Sequence, residues 1–196
     1  TDVIYHVMVG PAVLTFVKEL GEFFCPSRPA IFGFIDSLEA VDMASPGLEF
    51  LEGTYFWEGN PRYAQANQSA YDKAYRQAVG VDDNGASISD ARDVSTYAHM
   101  FGCWETLHII KAGMEASSYR GPADRTGLIE AVEAMTTMPH SHAHPQGDKV
   151  FNGRTHQVFG HQYISKVENS RLVLTHTTSI EDTIYPDEVD YTTQSF

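Results

Sequence analysis

Three histidines occupy alternate positions in the segment PHSHAHP, namely His140, His142 and His144. Alternate residues of an extended chain project to one side, so the three imidazoles could converge on a zinc, nickel or copper ion. The segment lies between Pro139 and Pro145, however, with no adjacent carboxylate and no cysteine motif. We therefore interpret these histidines as ordinary residues of a solvated loop, and a metal-dependent hydrolase is the less favoured alternative.

The other histidines do not form a catalytic set. His99 and His108 are nine residues apart on one predicted helix, which places their side chains on opposite faces. His156 and His161 are five residues apart, so in a regular strand they also point to opposite sides. The sequence contains no GxSxG, HExxH, GxxxxGK[ST] or GxGxxG motif. We therefore predict that the protein is not an enzyme and has no catalytic residue, metal or cofactor.

The charge balance opposes two classes of partner. The 196-residue chain has 13 basic and 26 acidic residues, a net charge of −13, which disfavours binding to nucleic acid phosphates and to anionic membranes. No apolar run approaches the roughly 20 residues that a membrane-spanning helix needs. Cys25 and Cys103 fit neither a disulfide framework nor a metal motif, and we expect them to be unpaired and mostly buried.

Strands and helices alternate in the first part of the chain. Apolar runs at residues 3–9, 30–35 and 53–57 predict buried strands, with an amphipathic helix after the first run and a short helix at residues 36–44. Strands separated in this way imply a parallel sheet. The opening βα unit, residues 1–22, needs neighbouring strands and covering helices, so we expect the chain to be part of a larger fold.

Helices dominate residues 58–138. The spacing predicts helices at residues 67–79, 89–115 and 124–135. The longest of them has an apolar residue every three or four positions, which predicts one buried face. The residues of that face are Val94, Tyr97, Ala98, Phe101, Trp104, Leu107, Ile110 and Met114.

A loop and a hairpin complete the predicted elements. Residues 138–147, which we call the histidine loop, lack a helical period. Strands at residues 157–167 and 172–178 are predicted to pair as an antiparallel hairpin through the turn at residues 168–170. The polar tail beyond Glu181 is predicted to lie on the surface.

Candidate ligand contacts lie where the three parallel strands end, because ligands of open α/β sheets bind beyond the carboxyl ends of the strands. For the aromatic and apolar residues the alternative is a place in the core. For Asp36 the alternative is capping of the helix that follows. The candidate residues are His6, Met8, Val9 and Gly10 after the first strand, Phe34 and Asp36 after the second, and Tyr55 and Trp57 in the third.

The order of these parts resembles the second half of the type I periplasmic solute-binding proteins, the receptors for branched-chain amino acids and amides of ABC transporters. Two departures are Ala98-His99 after Tyr97, where the family has an acidic residue and alanine, and PHSHAHP, which is not part of the pattern. The similar segments are TDVIYHVMVGPAVLTFVKEL, LEGTYFWEGNP, ANQSAYDKAYRQAVG, STYAHMFGCWETLHIIKAGMEAS and FNGRTHQVFGHQYISKV.

The resemblance implies an α/β fold with parallel sheets, flanking helices and two lobes, each only partly present. Residues 1–57 and 155–196 would belong to the second lobe, and residues 58–154 would be the mostly helical returning portion of the first. A small organic solute, such as a branched-chain amino acid or an amide, would be captured between the lobes by hinge closure. Asp36 is the nearest match to the family's acidic contact for a ligand ammonium group.

The same resemblance implies an ABC permease as partner and a periplasmic or other extracytoplasmic location. The first alternative is a cytoplasmic amide-sensing regulator on the same fold, which would bind a partner protein instead of a permease. Exposed apolar surface on half of a receptor also predicts self-association. The identity of the ligand is not predicted.

Overall fold

The computed structural model of the protein describes residues 2–8, 12–23, 29–34, 45–66, 68–91 and 97–194, with only the backbone of residues 97–99. The helix predicted at residues 36–44 lies outside the described residues. In chain order the described elements are β1 (Val3–Tyr5), α1 (Ala12–Phe23), β2 (Ala30–Phe34), β3 (Tyr55–Glu58), α2 (Ala70–Val79), α3 (Tyr97–Ser117), α4 (Arg125–Glu133), β4 (Thr137–Met138), β5 (Lys149–Asn152), β6 (Gln157–Gly160), β7 (Tyr163–Glu168) and β8 (Arg171–Thr177).

The first of two compact units consists of Thr1–Gln68, Arg76–His99 and Gln162–Thr177. Its five-stranded sheet has the order β1-β2-β3-β7-β8. Strands β1, β2 and β3 are parallel, and β7 and β8 extend the sheet in antiparallel fashion. The mixed α/β fold with parallel strands and flanking helices is therefore confirmed.

Helix α1 packs on one face of this sheet. Val13 and Val17 of α1 are fully buried and lie in one apolar cluster with Ile31, Phe56 and Val167 of the strands. Burying an apolar side chain of this size contributes about 1.5–3 kcal/mol, so this cluster holds the helix to the sheet. Because strand residues alternate between faces, the neighbouring strand residues point away from α1.

The predicted hairpin is confirmed as β7 and β8, with Glu168 opposite Arg171. The two turn residues, Asn169 and Ser170, have φ angles of 53° and 59°. Positive φ at both central residues is the geometry of a type I′ turn, whose twist matches that of the paired strands. The single strand predicted at residues 157–167 is wrong, because the chain leaves one sheet after β6 and joins another at β7.

The second compact unit consists of Ser69–Tyr75, Met100–His161 and Thr178–Phe196. It has an antiparallel sheet of order β4-β5-β6 and the helices α3 and α4. Gly113 of α3 packs closely on α4, since a β-carbon there would lie 2.6 Å from a methyl carbon of Val132. The lobe boundaries proposed from the sequence stay a prediction.

The buried face predicted for α3 is wrong in its second half. Phe101 is buried, but Leu107, Ile110 and Met114 are 67%, 43% and 37% exposed. The buried positions instead include Glu105 and Gly113, because Glu105 pairs with Lys149 and Gly113 contacts α4. Exposed apolar side chains of this kind are the reason why self-association is predicted from the sequence. Self-association stays a prediction.

Two further expectations concern membrane segments and thiols. The described part of the chain has no helix with the length and hydropathy needed to cross a membrane. Cys103 is a free thiol as expected, but it is exposed and not buried. Cys25 lies outside the described residues.

Candidate functional site

Parallel strands bring their carboxyl ends to one edge of the first sheet. We call this edge, formed by the last residues of β1, β2 and β3 and those that directly follow, the carboxyl edge. The structure places His6, Met8, Phe34 and Trp57 there, whereas Tyr55 begins β3 and so lies farther back. The predicted residues Val9, Gly10 and Asp36 lie outside the described residues.

Phe34 and Trp57 form a stacked aromatic pair at the carboxyl edge. They are register neighbours on β2 and β3, their ring centroids are 4.7 Å apart and their planes differ by 28°. Both side chains are half-buried. They share the sheet face opposite α1 with Tyr55, over whose ring the Lys166 ammonium lies at 5.8 Å. This pair is an apolar feature that the described part of the edge offers to a ligand.

Gln162 fixes the orientation of the Trp57 indole. The indole Nε1–H donates a hydrogen bond to the Gln162 side-chain oxygen, 105 residues away in sequence. Sequence reasoning missed Gln162, because only the antiparallel pairing of β3 with β7 brings the two residues together. A buried indole normally finds such a partner, and the bond holds the ring plane in one orientation.

His6 lies on the other face of the sheet, beneath α1. It is 6% exposed, and neither ring nitrogen has a hydrogen-bond partner within the described residues. Its ring lies over Gly33 of β2 and meets the edge of the Phe16 ring at 6.0 Å. Burial lowers the pKa of His6, which favours the neutral imidazole. His6 and the Phe34–Trp57 pair therefore flank the same edge from opposite faces.

Glu58, the last residue of β3, is buried like His6, but sequence reasoning missed it. Its Oε2 accepts a hydrogen bond from the Arg62 backbone N–H at 2.9 Å, while Oε1 has no partner within the described residues. Burial raises the pKa of the carboxyl, against the hydrogen bonds from Ser165 and Arg62 and the charges of Arg62 and Arg76. The acid is thus biased toward its protonated form.

The turn after Glu58 is held from its other side by Arg76. The buried guanidinium donates hydrogen bonds to the carbonyl oxygens of Pro61, Arg62 and Asp82 at 3.0–3.1 Å. Together with the contact between Glu58 and Arg62, these bonds anchor the chain as it leaves the carboxyl edge. We infer that these hydrogen bonds hold the backbone next to Trp57 in one conformation.

Glu58→Gln is expected to be more stable than the wild type at pH 8, by about 1 kcal/mol, because a neutral amide removes the buried acid. A carboxyl whose pKa is raised on folding holds its proton more tightly in the folded state. The contribution of the Glu58 proton to wild-type stability is therefore complete below 4.5, the pKa of the carboxyl in the unfolded chain. It is lost as the pH rises through the higher pKa of the carboxyl in the folded state. Urea unfolding of both proteins at pH 5 and pH 8 measures the difference.

Glu130→Gln, at an exposed position of α4, is the matched control and is expected to change stability by less than about 0.5 kcal/mol at both pH values. An advantage of Glu58→Gln that was the same at pH 5 and pH 8 would contradict the assignment, because the effect must grow as the wild-type carboxyl loses its proton.

The histidine loop does not assemble a metal site. His140 Nε2 lies 3.2 Å from both Ser69 Oγ and the Pro145 carbonyl oxygen, and the rings of His140 and His142 meet Tyr71 edge-on at 4.9 and 5.0 Å. Within the described residues, no group of three or more His, Cys, Asp or Glu side chains could hold a metal ion. The geometry therefore gives no support to the metal-dependent hydrolase.

The histidine loop is also less solvated than predicted. His144 is buried, and burial together with the nearby charges of Lys149 and His108 lowers its pKa. The loop is tied to α3 because the Trp104 indole donates to the His142 carbonyl oxygen at 2.9 Å and the Gln146 N–H donates to Glu105 at 3.1 Å. The loop is thus a packed structural element of the second unit.

Comparison with known proteins identifies one family and one fold. A sequence model described as "Periplasmic binding protein" matches residues 1–171. No curated protein matches the chain significantly. The chain spans less than half the length of each solved structure described below.

Three solved structures illustrate the similarity of fold. A solute-binding protein of an ABC transporter from Rhodopseudomonas palustris HaA2, in complex with p-hydroxybenzoic acid, is 18% identical, with a TM-score of 0.62 over 92% of this chain and 46% of that one. A solute-binding protein from R. palustris, in complex with benzoate, is 18% identical (TM-score 0.60, 90% and 42%). A leucine-binding protein from Thermotoga maritima is 12% identical (TM-score 0.58, 92% and 45%).

Proposed function

Because the chain belongs to the periplasmic binding protein family, we propose that it acts as the solute-binding component of an ABC uptake transporter. The observation that carries the proposal is the carboxyl edge of β1, β2 and β3, where the half-buried Phe34 and Trp57 rings stack and the Gln162 side chain accepts a hydrogen bond from the indole. An apolar surface with a small number of placed polar groups is typical of small-molecule sites.

The ligand is a small organic solute, either a branched-chain amino acid, a related amide or another compound of that size. Structurally similar proteins bind benzoate, p-hydroxybenzoic acid or leucine, which fall within this range. Such a site binds its ligand without changing it, so the function needs no catalytic residue. Capture occurs by hinge closure of two lobes, as the family fold implies.

The individual contacts remain proposals. His6, Met8, Phe34 and Trp57 are the described residues best placed at the carboxyl edge, with Tyr55 farther back. Val9, Gly10 and Asp36 are assigned from their positions after the predicted strands. The family resemblance adds that Asp36 would accept a charge-assisted hydrogen bond from an ammonium or amide N–H. Calorimetry of Asp36→Ala tests that role, because unchanged affinity would remove it.

The partner is an ABC permease, and the location is the periplasm or another extracytoplasmic compartment. Both follow from the family and not from a feature of the described residues. A leader peptide in the complete gene would favour this function over a cytoplasmic amide-sensing regulator.

A thermal-shift screen of the complete gene product tests the proposal. The compounds are amino acids, amides, urea and aromatic acids. A ligand at 100 times its Kd stabilises the folded state by about 2.7 kcal/mol, which raises Tm by roughly 5–10 °C for a domain of about 150–250 residues and by less for a longer one. Absence of any shift at millimolar concentrations across all four classes would count against a solute-binding function.

A further inference from the structure

The stacked pair at the carboxyl edge carries information about the class of ligand. We propose that the solute bound there contains an aromatic ring, which stacks on the Phe34–Trp57 pair while Gln162 positions the indole. The proposal rests on the solute-binding function above and narrows it from small organic solutes to aromatic ones.

The shape of this surface favours a flat ligand. Phe34 and Trp57 are neighbours on adjacent parallel strands, and their nearly parallel rings are half-buried. Aromatic rings prefer offset-stacked partners at centroid distances of about 4.5–7 Å, an interaction that a branched aliphatic side chain cannot make. Ile164, the register neighbour of Trp57 on β7, adds an apolar side chain beside the indole.

The hydrogen bond to Gln162 is the second observation. An indole packed only by apolar contacts can rotate about its side-chain torsions, whereas the donated Nε1–H fixes its plane. An indole that is already held in one orientation loses less conformational entropy when the ligand binds. This preorganisation improves affinity. Gln162 is therefore a positioning residue, acting on the ligand through Trp57.

The chain offers a matched control for this assignment. Tyr5 and Phe32 form another stacked pair on the same sheet face, with centroids 5.6 Å apart and planes at 27°. Phe32 lies two residues before Phe34 on β2, whereas Tyr5 is the last residue of β1. A change at Phe32 therefore removes the same kind of ring contact on β2 while the Phe34–Trp57 pair keeps both of its rings.

Two pairs of probes separate aromatic stacking from general hydrophobic binding. Benzoate is compared with cyclohexanecarboxylate, and phenylalanine with leucine, by calorimetry on the complete gene product. We expect the aromatic member of at least one pair to bind about tenfold tighter than its aliphatic match. Phe34→Leu is expected to bring the ratio of aromatic to aliphatic affinity close to one. Phe32→Leu is expected to leave this ratio within about twofold of the wild-type ratio.

Gln162 has its own readout. Gln162→Leu is expected to weaken aromatic binding and to change the fluorescence of Trp57, whereas Gln162→Glu keeps an acceptor for the indole and restores both. Equal or tighter binding of the aliphatic probes would overturn the aromatic assignment and leave the solute-binding function standing. If the aromatic preference is lost in Phe32→Leu but kept in Phe34→Leu, the aromatic ligand does not bind at the Phe34–Trp57 pair. If none of the four probes binds, and no compound in the thermal-shift screen binds either, both the aromatic assignment and the solute-binding function are overturned.

Discussion

Lys149→Met is expected to lower the free energy of unfolding by about 3–5 kcal/mol, because it leaves the Glu105 carboxylate buried without its cation. The two side chains are 6% and 5% exposed, and Lys149 Nζ lies 3.0 Å from Glu105 Oε2. Burial raises the pKa of Glu105 and lowers that of Lys149 despite their mutual attraction, so each charge depends on the other. Urea unfolding at pH 7, followed by circular dichroism, measures the loss.

The loss should depend on pH in a defined direction. Without Lys149 the pKa of Glu105 rises further, because the largest influence that lowers it is gone. The folded variant then holds a proton that the unfolded chain releases, so its stability falls as the pH rises. The deficit relative to the wild type should therefore be larger at pH 8 than at pH 5.

Two variants control for this result. Lys111→Met removes the cation of an exposed pair on α3, with Lys111 Nζ 3.4 Å from Glu115, and should cost less than about 0.5 kcal/mol. Combining Lys149→Met with Glu105→Gln removes both buried charges, while the introduced amide oxygen can still accept from the Gln146 N–H, so most of the stability should return. A double variant as unstable as Lys149→Met alone would contradict an electrostatic cause.

Short-range patterns were sufficient to predict most elements of the fold. Helix α1 was predicted because its apolar residues recur at helical spacing, and Val13 and Val17 are indeed buried. The hairpin β7–β8 was predicted because two β-rich runs flank a short turn. The buried face of α3 was not predictable, since Lys149 and α4 decide which side of the helix is covered.

The candidate site was predictable only in part, for the same physical reason. The rule that ligands bind beyond strand ends led to His6, Phe34 and Trp57, because strand ends are local features. Gln162 was missed because Trp57 is 105 residues away from it in sequence. Glu58 was missed because Arg76 and Ser165, which act on its carboxyl together with the nearby Arg62, come from other parts of the chain. Sequence alone also could not say that His6 and the aromatic pair lie on opposite faces, since that depends on where each strand begins.

Gly33→Ala is expected to destabilise the protein by about 2–3 kcal/mol, because a β-carbon would collide with the His6 ring. The new carbon would lie 2.6 Å from His6 Cε1, well inside contact distance, and Nε2 would be closer still. The ring cannot move aside easily, since it is buried and meets Phe16 on α1. Urea unfolding at pH 7 measures the loss, and Gly102→Ala, with no heavy atom within 4 Å of the added carbon, should be neutral or stabilising.

A double-mutant cycle attributes this loss to one contact. In a His6→Ala background the space above β2 is free, so adding Gly33→Ala should cost little, and the coupling between the two positions should be about 2 kcal/mol. A full additional loss in that background would mean that the strand backbone itself rejects the β-carbon. With the coupling present, the absence of a side chain at residue 33 is what lets the His6 ring lie over β2 at the carboxyl edge, so Gly33 supports the proposed position of His6.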